Sequence, residues 1–134
     1  MKFKIASLIL LVFTGIIYNV YGNESEINLS ISFLESYGWE VLSEPTERVD
    51  IIIPEIFDKV YENYNEIQKS AGLDLMPFCG KNAVRYSFVV TNYPEYVGET
   101  VYANVICIDG KPVAGDIMTV SLNGFMHALN KTTP

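Results

Sequence analysis

The sequence predicts an α+β domain in which two helices pack on an antiparallel sheet, with a C-terminal three-stranded meander and a short closing helical turn. One observation is a stripe of apolar residues at spacings of three and four between Pro54 and Gly72, which is typical of an amphipathic helix. A second is that three apolar runs rich in β-branched and aromatic residues follow it, as strands do. The third is Asp109-Gly110 between the last two runs, a dipeptide that favours a two-residue hairpin turn.

The first helix is expected over residues 24–37. The stretch "INLSISF" alternates like a strand, but its apolar residues also fit one helical stripe. Asn23, followed three residues later by Glu26, suits an N-terminal cap, and Gly38 offers a left-handed stop. These end signals favour helix over strand.

The second helix is expected to begin near Pro54, whose fixed φ suits a first turn, and to end before Gly72. Tyr61 and Tyr64 have the spacing of a sugar-stacking pair, but aromatic residues at this spacing are more often core. The buried stripe is expected to consist of Phe57, Val60, Tyr64, Ile67 and Ala71.

The three strands are expected in "AVRYSFVVT", "TVYANVICI" and "KPVAGDIMTV". If Ile108 pairs with Lys111 across the Asp109-Gly110 turn, a regular ladder places Asp116 opposite Ala103 and Gly115 opposite Asn104. Both faces of this hairpin are largely apolar. The sheet is therefore expected to be covered on both sides or to pair with a partner.

The closing segment contains the only histidine, His127. Leu122, Phe125, Met126 and Leu129 fall on one side of a helical turn, and His127 then points away from that side. We therefore expect an exposed histidine that is a poor catalytic base. Asp116 is expected to brace the following turn by accepting hydrogen bonds from its amides, with a ligand role as the alternative.

The N-terminal 22 residues have the pattern of an export signal. A short basic start at Lys2 and Lys4 precedes an apolar run, and Val20 and Gly22 are small enough to precede a cleavage point. If it is not cleaved, residues 5–20 form a short membrane anchor. We therefore predict residues 1–22 as signal peptide or anchor, 23–129 as a single α+β domain, and 130–134 as a polar tail. The protein is expected outside the cytoplasm, secreted or anchored to the cell membrane.

The charge excludes one class of partner. The chain has nine basic and 16 acidic residues and a net charge of −7, and loss of the two N-terminal lysines would make it −9. Such a surface repels nucleic-acid phosphates and anionic lipid. Cationic partners remain open, and the same charge also serves solubility.

No metal, cofactor or catalytic site is predicted. Cys79 and Cys107 do not form a zinc pattern, and glycine-rich phosphate loops are missing. An oxidising compartment permits a disulfide between them, but their expected positions favour free thiols. Ser121 has only His127 as a base, at a spacing that matches no known nucleophile arrangement.

Four stretches together resemble an uncharacterised family of small extracytoplasmic domains from Gram-positive bacteria. They are "FLESYGWEV", "IPEIFDKVYENYNEIQKSAGLDL", "TNYPE" and "GDIMTVSLNGFMHAL". The resemblance covers most of residues 33–129, and "GW", "YNEIQK" and "GFMH" are its most specific parts. It implies no activity, cofactor or site residue, and the two cysteines are not part of its pattern.

Two functional hypotheses follow. The first is a non-catalytic envelope domain that binds or regulates an envelope or extracellular protein, with Asp116, His127 and Asn104 as candidate binding residues. The alternative is a small hydrolase or metal-dependent enzyme that uses Asp116 with His127. A deep pocket at Asp116 would favour the enzyme. A flat apolar patch beside an exposed strand edge would favour the binding domain.

Overall fold

The structure, a computed structural model, describes the backbone of residues 17–18 and all of residues 23–134. The rest of the predicted signal segment, 1–22, lies outside the described residues. The sheet is antiparallel and its strand order is the order of the chain, so the α+β class and the C-terminal meander are confirmed. The elements are β1 (Ile17–Tyr18), α1 (Glu24–Ser36), β2 (Glu47–Ile52), α2 (Lys59–Ser70), a 3-10 turn (Met76–Phe78), β3 (Asn82–Val89), β4 (Tyr102–Ile108), β5 (Lys111–Met118) and β6 (Met126–His127).

Helix α1 forms where the capping pattern predicts it. The Asn23 side chain accepts hydrogen bonds from the backbone N–H groups of Ser25 and Glu26, at 3.0 and 3.5 Å. Gly38, with φ of +92°, follows the last turn, and a positive φ is adopted at little cost by glycine. Neither α1 nor α2, the helices of the described part, has the length and apolar character to span a membrane.

Helix α2 is shorter than the sequence predicts. It begins at Lys59, because the Asp58 carboxylate caps it by accepting a hydrogen bond from the Tyr61 N–H at 2.9 Å. The predicted start near Pro54 is therefore wrong, and Phe57 precedes the helix. Tyr61 and Tyr64 are 3% and 1% exposed, which confirms that this pair belongs to the core.

A helix covers each face of the sheet. On one face α1 lies over β4 and β5 and buries Leu34, among others; we call this the α1 face. On the other, α2 and the 3-10 turn cover a core that contains Tyr64; we call this the α2 face. Alternate residues of each strand point to opposite faces. The apolar character of both faces of the hairpin is thereby explained by cover on both sides.

The β4–β5 hairpin has the predicted turn but a different register. Asp109 and Gly110 have φ of +51° and +78°, and Ile108 pairs with Lys111 as expected. A bulge then shifts the ladder, because Cys107 faces Pro112 and Ile106 faces Ala114. One extra residue, Val113, is thus accommodated in β5 next to a proline that cannot donate to a ladder.

The bulge changes the partner of every residue beyond it. Asp116 lies opposite Asn104, not opposite Ala103 as the regular ladder predicts, and Gly115 lies opposite Val105. On the other side of β4, Cys107 faces Val84 of β3. Cys79 and Cys107 are free in the structure, and Cys107 is buried with its Sγ 3.2 Å from Ser30 Oγ.

The closing segment is a strand, so the predicted helical turn is wrong. Met126 and His127 pair with Met118 and Ile117 of β5. Thr119 closes the loop: its N–H donates to the Phe125 carbonyl at 3.0 Å, and its hydroxyl accepts from the Phe125 N–H at 3.0 Å. The unpaired edge of β5 offers backbone partners that a helical turn would leave unused.

Two apolar side chains of this segment test the arrangement, because a helical turn would bury both. The structure buries Phe125 but leaves Leu122 82% exposed. Phe125→Ala should lower the free energy of unfolding by about 3 to 5 kcal/mol, whereas Leu122→Ala should change it by less than about 0.5 kcal/mol. Urea unfolding of both variants measures the difference. Similar losses in the two would support the helical turn instead.

Candidate functional site

The α2 face contains polar side chains that the surrounding core encloses completely. We call Tyr64, Arg85, Ser87, Asn104 and Asp116 the buried polar cluster; each is at most 2% exposed. They come from α2 and from the three central strands, β3, β4 and β5. Buried polar groups are costly unless each finds a partner, so their hydrogen bonds determine what the cluster can do.

Both carboxylate oxygens of Asp116 accept a hydrogen bond. The Tyr64 hydroxyl donates to Oδ2 at 2.6 Å, and Asn104 Nδ2 donates to Oδ1 at 2.9 Å. Burial raises the pKa of Asp116 to about 6, against the lowering effects of these two bonds and of the nearby Arg85 charge. Burial and the Asp116 charge together raise the pKa of Tyr64 well above its usual value.

Asn104 connects this carboxylate to Arg85. Its Oδ1 accepts from Arg85 Nη1 at 3.2 Å and from the Ser87 hydroxyl at 2.6 Å. Arg85 Nη1 also donates to Ser87 Oγ, and Nη2 lies 3.3 Å from Oε1 of the part-exposed Glu47. Burial lowers the pKa of Arg85, and Glu47 opposes that shift. The cluster is therefore a continuous chain of bonds from the rim of the sheet to α2.

The cluster holds its elements together and presents no surface to a substrate. Asp116 and Asn104 have no exposed area. A hollow of about 760 Å³ lies elsewhere and is lined by other residues, among them Asp50, Ile52 and Cys107. Asp116 does not brace the following turn, as the sequence suggested, because both its oxygens are engaged by α2 and β4 side chains. The raised pKa of Asp116 thus belongs to a carboxyl that has no exposed area.

His127 is buried, which corrects the expectation that it is exposed. It is 4% exposed, because β6 pairs it with Ile117 and so directs it into the α1 face. Its Nδ1 lies 2.8 Å from the Ala128 carbonyl oxygen, which can only accept, so Nδ1 carries the proton. Nε2 then accepts from the Tyr93 hydroxyl at 2.8 Å. Burial lowers the pKa of His127.

Three aromatic rings surround the imidazole. Their centroids lie 5.5 to 6.1 Å from its own, and they belong to Phe125, Tyr93 and Trp39. Tyr93 stacks on Trp39 at 5.7 Å with an interplanar angle of 10°. The Trp39 indole N–H donates to the Leu129 carbonyl at 2.7 Å. This aromatic cluster attaches the β3–β4 loop to the closing segment.

The structure does not bring Asp116 and His127 together. Asp116 points to the α2 face, whereas Ile117, the strand partner of His127, points to the α1 face. The sheet thus separates the two groups that the enzyme hypothesis combines. Among the residues that the structure describes, no three His, Cys, Asp or Glu side chains are placed to bind a metal ion together.

Sequence reasoning identified Asn104 and Asp116 but missed Tyr64, Arg85 and Ser87 as their partners. A signal was present: Arg85 and Ser87 alternate with Tyr86 and Phe88 in an otherwise apolar strand. When a strand is covered on both faces, polar residues at every second position indicate a buried polar network on one face. The missing information was the bulge, which brings Asn104 opposite Asp116.

Two loops at one end of the sheet carry exposed apolar side chains, and we call these loops the loop tip. Residues 90–101 connect β3 to β4, and residues 119–125 connect β5 to β6. Tyr96, Val120 and Leu122 are 97%, 57% and 82% exposed. The Ser121 hydroxyl donates to Glu99 Oε2 at 2.9 Å and so joins the loops.

Asp116→Asn should change how stability depends on pH. The pKa of this carboxyl is about 6 in the folded protein, compared with 3.8 in a model peptide, so the unfolded chain releases its proton first. Its burial therefore costs stability as pH rises from about 4, and the cost is complete above about 6, at roughly 3 kcal/mol. Relative to Asp116→Asn, the wild type should lose about that amount between pH 4 and 7. Urea unfolding across this range measures it, and Asp109→Asn at an exposed carboxylate should run parallel to wild type.

The stability of the wild type relative to His127→Phe should change with pH in the opposite direction. The folded pKa is lowered from 6.5, so stability from the neutral imidazole is present above pH 6.5 and is lost as pH falls through that value. The wild type should therefore lose stability relative to His127→Phe on acidification, with a slope of at most about 1.4 kcal/mol per pH unit. Chemical unfolding from pH 8 to 5 tests this. A difference that stays constant with pH would contradict a buried neutral histidine.

Comparison with known proteins found one match, to a family model. No curated protein and no solved structure matches the chain. One family model matches residues 33–117, from the second half of α1 to the penultimate residue of β5, and is described as DUF4830, a domain of unknown function. The resemblance to an uncharacterised domain family is thereby confirmed. Because this match spans more than half of the chain, the protein belongs to the DUF4830 family.

Proposed function

We propose that the protein is an exported domain of the cell envelope of a Gram-positive bacterium, and that it binds or regulates a protein partner outside the membrane without catalysing a reaction. The export proposal rests on the basic and apolar pattern of residues 1–22. In this proposal the domain is secreted, or held at the membrane through residues 5–20. The observation that carries the binding role is the loop tip.

The loop tip exposes residues of the kind that form protein interfaces, and the aromatic cluster holds one of its loops in place. Tyr96 and Leu122 expose nearly their whole side chains, and aromatic and large apolar residues are the usual anchors of protein interfaces. Tyr93, three residues before Tyr96, is held by the aromatic cluster. A loop that is already positioned loses less conformational entropy when it binds.

The charge around the tip indicates the chemistry of the partner. Glu95 and Glu99 lie in the same loop as Tyr96, and the chain as a whole carries a net charge of −7. A complementary surface would offer an apolar pocket with basic residues at its rim. We therefore infer a protein partner with a basic surface, and not an anionic lipid or a nucleic acid.

The alternative, a small hydrolase or metal-dependent enzyme, is favoured by one observation, the raised pKa of Asp116. The same carboxyl has no exposed area and both its oxygens are bonded. A substrate would reach it only if α2 separated from the sheet. If the Asp116 carboxyl has a structural role, its raised pKa requires no such opening.

A capture experiment with matched variants tests the binding proposal. The exported chain serves as bait for detergent-solubilised envelopes of the source organism, and captured proteins are quantified by mass spectrometry. Tyr96→Ala combined with Leu122→Ala should reduce capture of the partner at least about tenfold, because each removes an interface anchor of about 2 kcal/mol. Leu29→Ala, at an exposed apolar residue of α1, should retain it.

Two results would contradict the proposal. Equal capture by the wild type and the double variant would remove the loop tip from the interface. A wild-type bait that enriches no protein over bait-free beads would argue against a binding domain as a whole.

A further inference from the structure

We propose that the outer edge of β2 is an interface between two copies of this chain, which pair through β2 about a twofold axis at Val49. The proposal rests on the proposed export, because it concerns the domain after loss of residues 1–22. Those residues include β1, which pairs with β2 at Val49 and Arg48. Its removal leaves β2 as an edge strand.

The edge is built to accept an antiparallel strand. The Ile53 N–H donates to the Lys81 carbonyl at 2.9 Å, so residue 53 directs its backbone groups inward, in line with β3. Backbone direction alternates along a strand, and the N–H and C=O groups of Arg48, Asp50 and Ile52 therefore point outward. Within the described part of the chain, β1 is the only strand on this side, and it meets two of the six residues of β2.

Charge selects one register for self-pairing. Outward-pointing residues can bond only to outward-pointing residues of the second copy, so the axis passes through a residue and not between two residues. The registers that keep most of β2 paired have the axis near the strand centre, at residue 48, 49 or 50. An axis at residue 48 or 50 places Arg48 opposite Arg48 or Asp50 opposite Asp50. An axis at Val49 places Arg48 opposite Asp50 twice. Opposite charges stabilise a cross-strand pair, and like charges destabilise it.

The two charged side chains at this edge are part-exposed. Arg48 and Asp50 form an ion pair at 3.3 Å within one copy, with side chains 21% and 43% exposed. Their neighbour Ile52 is 65% exposed and, with Asp50, lines the 760 Å³ hollow. In the Val49 register Ile52 lies beside Thr46 of the second copy, so pairing would cover part of an exposed apolar surface.

The opposite edge of the sheet is covered in part. The β5 edge is covered by β6 at Ile117 and Met118, and the Gly115 N–H donates to Gln68 Oε1 of α2 at 2.9 Å. A sheet with one open edge forms a closed twofold dimer, whereas two open edges permit fibres. Pairing of β2 with its own copy about a twofold axis uses the β2 edge of both chains and closes at two copies.

The test uses the full-length chain, expressed in an exporting host and recovered after processing. Intact mass identifies the N-terminus, and sedimentation equilibrium gives the dimer dissociation constant. Arg48→Asp and Asp50→Arg each place like charges opposite one another, and each should weaken the dimer at least about tenfold. An equimolar mixture of the two variants should restore it as a heterodimer. Glu66→Arg is the matched control for Asp50→Arg, because it makes the same change of charge at an exposed residue of α2. It should leave the dimer dissociation constant unchanged.

The possible failures separate this inference from the proposed export. A product that lacks residues 1–22 but stays monomeric at its highest soluble concentration would overturn the dimer and leave export intact. A dimer whose dissociation constant is unchanged in both single variants would also overturn the proposed interface. The same holds if the two variants are folded by circular dichroism but do not associate when they are mixed. A product that retains residues 1–22 would overturn processing on export, and the open β2 edge with it.

Discussion

The structure depends on the burial of the Asp116 carboxylate. Moving an ionised carboxylate out of water costs several kcal/mol unless hydrogen bonds and an opposite charge compensate for it. Here Tyr64 and Asn104 supply the hydrogen bonds, and Arg85 supplies the charge. Each of these partners has a structural consequence. The bulge in β5 sets Asn104 opposite Asp116, Tyr64 fixes how α2 docks, and Arg85 links β3 to the same point.

The buried polar cluster is enclosed by the core. A carboxylate with a raised pKa is the usual indication of an active site, but structural networks raise pKa values as well, and this one is sealed on both sides by helices and strands. The two proposals concern the exposed side chains of the loop tip at one end of the sheet and the edge of β2, which the proposed loss of residues 1–22 would open. Neither proposal requires the polar core to open.

The two faces of the sheet are specialised in different ways. The α2 face satisfies its polar groups through hydrogen bonds, whereas the α1 face uses aromatic packing around a neutral His127. The aromatic cluster joins Trp39, the β3–β4 loop and the closing segment, which are far apart in the sequence. The loop tip is thus supported by the α1 face, and the docking of α2 by the Asp116 bonds.

The sequence by itself determined the α+β class, both helices, the three long strands and the Asp109-Gly110 turn. Each of these depends on local signals such as caps, apolar periodicity and glycine conformation, which act within a few residues. Tertiary structure decided the start of α2 at Lys59, the bulge beside Pro112, the burial of His127 and the strand at Met126–His127. These features depend on partners distant in the chain. A free β5 edge can turn an apparently helical pattern into a strand, and a single extra residue in β5 gives Asp116 a different neighbour.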